Sequence, residues 1–340
     1  MSDEVPEGPV PAQRRLIARL KYVEPSQLVA AIVIVLIVAA AIVAVSILGW
    51  PFGTDPFADL PDDPSVRVGL VGYFPAEGEE PLAEPSGIAI DGSRVYIAEA
   101  GAGRVALFNE KGERTGQVVL DVADGQAKAV PTSVAAAGPK RFAVIDARGG
   151  RVLVFQIAMD SADLLFRVGA EDTDTAPGRP TAVAYHDGEI YVADAAAGAI
   201  HVYDGDGAFV RSLGAEAEPP LGHIGGIAVN DERIVVAESD RNQVRVLDPV
   251  SGGEIGVFAD AYSLPRGVVA VRDGVAVAEV LGAAVRVCDA EGARTHSIAA
   301  ETVSADAPLA PEGVAWHARS RRLYVTDPDL GRVTVYGVRL

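Results

Sequence analysis

The chain is poor in the residues that carry most metal, redox and disulfide chemistry. Its 340 residues include one cysteine, Cys288, which excludes an intrachain disulfide, a haem attachment and a multi-cysteine metal site. Cys288 lies in the apolar run VRVCDA and reads as a packed thiol. Lysine is scarce, four against 25 arginines, a usage that points to a GC-rich bacterial genome. Positive charge is scarce as a whole. Residues 1–27 hold four acids and four bases, so the remaining 43 acids and 25 bases carry the entire net charge of −18. Nucleic acid is thereby excluded as a partner, because phosphate binding begins with a basic surface. No GxSxG elbow, Walker loop, HExxH or helix-opening GxGxxG occurs.

Residues 28–48, by contrast, contain a single polar side chain, Ser46. A helix of that length spans roughly 30 Å, the thickness of a bilayer core. A cleaved signal peptide is the competing reading, with AVS at 44–46 as its cleavage-like site, but the run exceeds the usual apolar region of about 7–15 residues. The expectation is an uncleaved single-pass anchor. Arg14, Arg15, Arg19 and Lys21 precede it and Asp55, Asp59, Asp62 and Asp63 follow, which places residues 1–27 in the cytoplasm and everything beyond the anchor outside. Residues 49–65 are rich in proline and acid and read as an extended linker.

From residue 66 onward the sequence repeats. Six segments align: PSGIAIDGSRVYIAEAGAGRVALF from Pro85, PTSVAAAGPKRFAVIDARGGRVLVF from Pro131, PTAVAYHDGEIYVADAAAGAIHVY from Pro180, IGGIAVNDERIVVAESDRNQVRVL from Ile224, PRGVVAVRDGVAVAEVLGAAVRVC from Pro265 and PEGVAWHARSRRLYVTDPDLGRVTVY from Pro311. Each holds three short apolar runs divided by turn residues, with a fourth run after the next turn. Four antiparallel strands in about 45 residues describe a propeller blade. The runs are apolar at consecutive positions, as expected where a sheet is buried on both faces.

These repeats resemble the NHL family of six-bladed β-propellers. The resemblance covers Pro85 to Val338 and rests on P-x-G-[IV]-A at the innermost strand, [YV]-[VI]-A-[DE] at the second and G-R-V opening the third. The fold class expected is therefore all-β, a six-bladed NHL-type propeller over residues 66–340 preceded by one transmembrane helix. The sixth unit stops at its third strand, so Val66 to Phe74 is expected to close the ring against Arg332 to Val338.

An acid ends every second strand: Glu99, Asp146, Asp194, Glu238, Glu279 and Asp327. All six fall on one face, here called upper, where the loops from outer to inner strands also open. Across 75–84, 121–130, 170–179, 215–221 and 301–310 those loops hold 13 acids and two bases, Lys128 and Arg179, so the upper face is expected to be strongly negative. Because the closing strand starts on the lower face, that face is expected to tend towards the membrane. Arg104, Arg151 and Arg332 follow Glu99, Asp146 and Asp327 by five residues, a spacing that reads as a salt bridge across a hairpin. In blades 3, 4 and 5 the equivalent residues are Ala199, Gln243 and Ala284. Asp194, Glu238 and Glu279 then form a candidate cation or basic-ligand site, with calcium as the metal such carboxylates would take. Arg241 or Arg245 compensating Glu238, and turn capping of the other two, form the structural alternative. His223 and Arg266 enter on the same face, where Arg266 is also within reach of Glu312.

Some propellers of this resemblance are lyases or lactone hydrolases that hold zinc or calcium in the central channel. Zinc would need converging imidazoles, whereas His186 and His317 fall at lower turns, His201 on a third strand, His296 on an outer strand and only His223 at the upper mouth. Two readings remain. One is a membrane-tethered extracytoplasmic propeller that binds or scaffolds a protein or a basic ligand through its acidic face. The other is a calcium-dependent lactonase or lyase-like hydrolase working at the acidic mouth.

Overall fold

A computed structural model of the chain describes residues 68–75, 79–120, 128–158, 161–169, 176–215, 217–258, 260–272, 274–299 and 307–339. The tail, anchor and linker expected over 1–65 lie outside the described residues, as do many of the upper loop residues on which the negative face was argued. Among the described residues no helix is long and apolar enough to cross a membrane.

The described strands form six four-stranded antiparallel sheets. Blade 1 comprises β2 (Pro85–Asp91), β3 (Arg94–Glu99), β4 (Arg104–Asn109) and β5 (Arg114–Val119). Blade 2 comprises β6 (Pro131–Ala136), β7 (Arg141–Asp146), β8 (Arg151–Ile157) and β9 (Ala162–Arg167), and blade 3 comprises β10 (Pro180–His186), β11 (Glu189–Asp194), β12 (Ala199–Tyr203) and β13 (Phe209–Leu213). Blade 4 is built from β14 (Ile224–Val229), β15 (Ile234–Glu238), β16 (Gln243–Leu247) and β17 (Glu254–Val257); blade 5 from β18 (Pro265–Val271), β19 (Gly274–Glu279), β20 (Ala284–Cys288) and β21 (Arg294–Ile298). Blade 6 has β22 (Val314–His317), β23 (Arg322–Asp327) and β24 (Arg332–Val338), and its outer strand is β1 (Val68–Phe74). The chain is an all-β, six-bladed propeller.

The ring closes as the orphan third strand requires. β1 pairs antiparallel with β24 from Val68 opposite Val338 to Phe74 opposite Val333, with one register shift between Leu70 and Gly72. Phe74 is buried and packs its ring 5.7 Å from both Phe108 of blade 1 and Tyr324 of blade 6. The first strand thus joins the last blade and the first in one apolar cluster.

Six such clusters exist among the described residues, one in each seam between neighbouring blades. Successive residues of a strand feed opposite seams. In β3, Tyr96 and Ala98 face blade 2 while Val95 and Ile97 face blade 6. This is why the second and third strands read as unbroken apolar runs. The third residue of P-x-G-[IV]-A has an equally simple cause, because the inner strands converge on the axis and their backbones nearly touch. A Cβ on Gly226 would lie 2.2 Å from the Arg266 carbonyl oxygen, one on Gly267 2.5 Å from that of Glu312, and one on Gly313 2.3 Å from that of Ser86. The seams also carry polar stitches: Ser239 Oγ donates to Pro265 O at 2.6 Å and Thr326 Oγ1 to Ser86 O at 2.5 Å.

Candidate functional site

The acids that end the second strands are not a solvated rim. All six are buried, with at most 2% of each residue exposed. Each carboxylate is held by the loop that leads into the inner strand of its own blade. Ala83 N–H donates to Glu99 (3.0 Å), Val130 N–H to Asp146 (2.9 Å), Gly178 N–H to Asp194 (2.6 Å), Gly222 N–H to Glu238 (2.6 Å), Ser263 N–H to Glu279 (2.9 Å) and Leu309 N–H to Asp327 (2.6 Å). Buried backbone N–H groups in a loop have no sheet partner, and the acid supplies the acceptor.

The cationic partners follow the five-residue spacing in blades 1 and 2, follow the Arg241 or Arg245 alternative in blade 4, and depart from the spacing in blade 6. Arg104 pairs with Glu99 at 2.5 Å and Arg151 with Asp146 at 2.9 Å, as the five-residue spacing implied. Arg332 lies opposite Asp327 in register but makes no ion pair with it; its guanidinium stacks on the Tyr73 ring of the closing strand, 4.1 Å from the centroid. Asp327 is capped instead by the N–H groups of Leu309, Ala310 and Leu330. The three acids without an Arg at the fifth position have other partners. Asp194 has His201 Nε2 at 3.5 Å and the N–H groups of Arg179 and Ala196. Glu238 has Arg241 at 2.9 Å, Arg245 at 3.5 Å and the Gln243 amide. Glu279 has Arg286 Nε against its Oε1, a contact of charge on charge without hydrogen-bond geometry.

These environments set the protonation of the ring. Burial alone would raise Asp194, but His201 and the backbone donors outweigh it and hold it far below the usual carboxylate range. Burial is likewise overcome at Glu99 by Arg104 and the Ala83 N–H, and at Asp146 by the N–H groups of Val130 and Gly149 with Arg151. At Glu279 burial prevails over Ser263 and Arg286, and its carboxyl is pushed up. Asp194, Glu238 and Glu279 are each spent within their own blade, and among the described residues no group of three or more His, Cys, Asp or Glu side chains is placed to hold a metal.

What the fold does assemble is the mouth of the central channel, which encloses about 750 Å³. Its wall is the six inner strands. The fourth residue of each repeat motif, Ile88, Val134, Val183, Ile227, Val268 and Val314, forms a ring that borders the shaft but is buried, each side chain packing in a seam between blades. Above that ring the charges divide by blade. Arg179, His223 and Arg266 come from the consecutive blades 3, 4 and 5, while Glu312 and Glu84 come from blades 6 and 1. Blade 2 contributes Thr132.

His223 is held below its ordinary value by burial and by Arg266 and Arg179, with Asp240 opposing. Burial pushes Glu312 up, with Asp329, Asp327 and Glu84 adding to it against Arg266. Arg266 does not pair with Glu312, and its buried Nε has no hydrogen-bond partner. His223 and Arg266 are thus brought together, apart from the three acids with which they were grouped. Arg179, Glu312 and Glu84 complete their constellation. The signal for them was positional: the motif fixes P and G for backbone reasons, so the residue between or just before them is free to vary. Arg266, Glu312, Arg179, His223 and Glu84 occupy those slots.

No protein-family model matches the sequence, and no curated protein matches it. Solved structures do. A nidogen/laminin complex superposes with a TM-score of 0.54 at 16% identity, over 68% of this chain and 85% of that one. Virginiamycin B lyase from Staphylococcus aureus gives 0.52 at 12% identity over 80% and 99%, and hydrazine synthase from Kuenenia stuttgartiensis 0.54 at 13% over 76% and 97%. The likeness is one of fold alone. At these identities the propeller is common ground, and the chemistry of those proteins is their own.

Proposed function

We propose that this chain is a membrane-tethered, extracytoplasmic binding propeller of NHL type, whose ligand enters the upper mouth of the channel. The tether rests on the apolar run 28–48 and the charges flanking it. The NHL assignment rests on the six registered motifs. The observation that carries the binding reading is the mouth itself: half-buried Arg266, its Nε without a hydrogen-bond partner, and half-buried Glu312, unpaired with each other at the top of the channel. Desolvated charged groups left without a partner cost stability, and a ligand that supplies the partner recovers it. A catalytic reading through calcium requires carboxylates that converge, whereas the hinge acids are committed to their loops.

The test is native mass spectrometry of the full chain in detergent after incubation with the small-molecule fraction of the cells that make it. A binding propeller retains an adduct that is released at unchanged mass and is lost in Arg266→Ala. Release at altered mass would establish a lyase or hydrolase in its place. Absence of any adduct would refute small-ligand binding at the mouth.

A further inference from the structure

The division of charge at the mouth identifies the class of ligand. Arg179, His223 and Arg266 form one continuous arc, and Glu312 and Glu84 the next. A ligand of one sign gains on one arc and is repelled by the other, so a simple anion or a simple cation is poorly matched. A dipolar ligand gains on both. The two unpaired groups nearest each other in ring order, Arg266 of blade 5 and Glu312 of blade 6, would bracket a carboxylate and an ammonium carried on neighbouring atoms. Beneath them the shaft presents polar as well as apolar surface, Ser133 and Thr181 among its lining residues.

Resting on the binding reading above, we propose that the upper mouth holds an α-amino-acid zwitterion. Its carboxylate lies against Arg266 and His223, its ammonium against Glu312, and its side chain points into the channel. Arg179 and Glu84 extend the two arcs of potential without needing direct contact. Thr132 supplies a neutral donor and acceptor where the arcs meet on blade 2.

Calorimetric titration of the full chain in detergent with leucine, leucinamide and N-acetyl-leucine tests this. Leucine is expected to bind at least tenfold more tightly than either leucinamide, which lacks the carboxylate, or N-acetyl-leucine, which lacks the ammonium. Arg266→Ala should abolish the preference for leucine over leucinamide, and Glu312→Gln the preference for leucine over N-acetyl-leucine. Neither group has a hydrogen-bonded side-chain partner to lose, so a fold that still melts cooperatively without ligand in both variants separates lost binding from lost folding. Equal binding of leucine and N-acetyl-leucine would replace the zwitterion by an anion. No binding of leucine would overturn the proposal, and if the cell-extract adduct persists in that case, the ligand class falls while the binding reading stands.

Discussion

Replacing Asp194 by Ala should be among the most damaging single substitutions in the propeller, although its position resembles an exposed hairpin acid. The carboxylate accepts N–H donors from Gly178 (2.6 Å), Arg179 (2.9 Å) and Ala196 (2.8 Å) and lies 3.5 Å from His201 Nε2, with 2% of the residue exposed. Truncation leaves those donors without their acceptor and opens a void where the buried carboxylate sat, beneath a loop whose residues Gly178, Arg179 and Ala196 are themselves exposed. Each orphaned group costs about 1–3 kcal/mol, and relaxation lets water reach some of them, so a total of about 3–5 kcal/mol is expected. For a domain of this size about 1 kcal/mol corresponds to roughly 2 °C, giving a melting temperature about 6–10 °C lower. Asp194→Asn keeps one acceptor oxygen but turns an amide on the remaining donors, and should cost about half as much.

The same group gives an acid signature. Its folded pKa lies below its ordinary 3.8, so its stabilisation is present above about pH 4 and is lost as pH falls towards the folded value. The Ala variant should therefore show a flatter stability profile below pH 4 than the parent. The internal control is Asp231, whose side chain is 89% exposed beside His186 and whose replacement by Ala should cost under about 0.5 kcal/mol. Thermal melts of both variants decide the matter: an Asp194→Ala protein that melts within 2 °C of the Asp231→Ala protein would refute the loop-anchoring role. Neutralising Asp194, Glu238 and Glu279 together should destabilise as much in chelator as in calcium. A loss confined to calcium-containing buffer would restore the cation site.

Removal of residues 1–75 takes away β1 and with it buried Phe74, worth about 3–5 kcal/mol alone, whereas removal of 1–55 leaves the closing strand intact; equal melting temperatures for the two truncations would contradict ring closure by β1. Gly267→Ala places a Cβ 2.5 Å from the Glu312 oxygen and 2.9 Å from the Val314 nitrogen, so about 2–3 kcal/mol of stability should be lost, while Gly256→Ala, with nothing within 4 Å, should change stability by under about 0.5 kcal/mol in urea titrations. His223 faces Arg179, Arg266 and Asp240 and is held below its ordinary 6.5, so it is neutral at pH 7. Protonation at lower pH adds a cation beside the bound carboxylate. The affinity of N-acetyl-leucine should accordingly rise from pH 7 to pH 5, and His223→Gln should flatten that rise.

The architecture was legible because the blade is repeated and each motif position has a backbone cause. Gly226, Gly267 and Gly313 stand where inner strands touch, and Val66 to Phe74 was assigned to closure because the sixth unit lacks a fourth strand. The partners of the hinge acids were legible only in part, for a physical reason. Spacing along one chain reveals the cross-hairpin partner at five residues, as for Glu99 and Arg104, but not the loop N–H 16 residues upstream, because an N–H group is present in every residue type except proline. The same blindness hid the partner of Glu279, whereas Arg241 and Arg245 were read as compensating Glu238 and do so. Arg286 and Arg245 sit two residues beyond the expected slot, on the same face of the third strand, where the period of two brings them back beside the acid.

That displacement of role has a consequence for recognition. A propeller presents two concentric sets of side chains on its upper face, one at the ends of the second strands and one at the starts of the inner strands. Here the outer set is acidic in all six blades and fully engaged in anchoring loops, so it can vary little between blades without loosening a loop. The inner set differs from blade to blade, Ser86, Thr132, Thr181, Gly225, Arg266 and Glu312, and only part of it is tied into the fold, as Ser86 is through Ala98 O and Pro131 O. Symmetry is kept where the fold needs it and broken where a ligand would read it. A six-fold ring of identical groups binds only something on the axis, whereas an arc of bases followed by an arc of acids orients an asymmetric molecule. The uniform acids and the varied inner ring are thus two sides of one arrangement, in which the outer ring holds the channel mouth rigid and the inner ring gives it a direction.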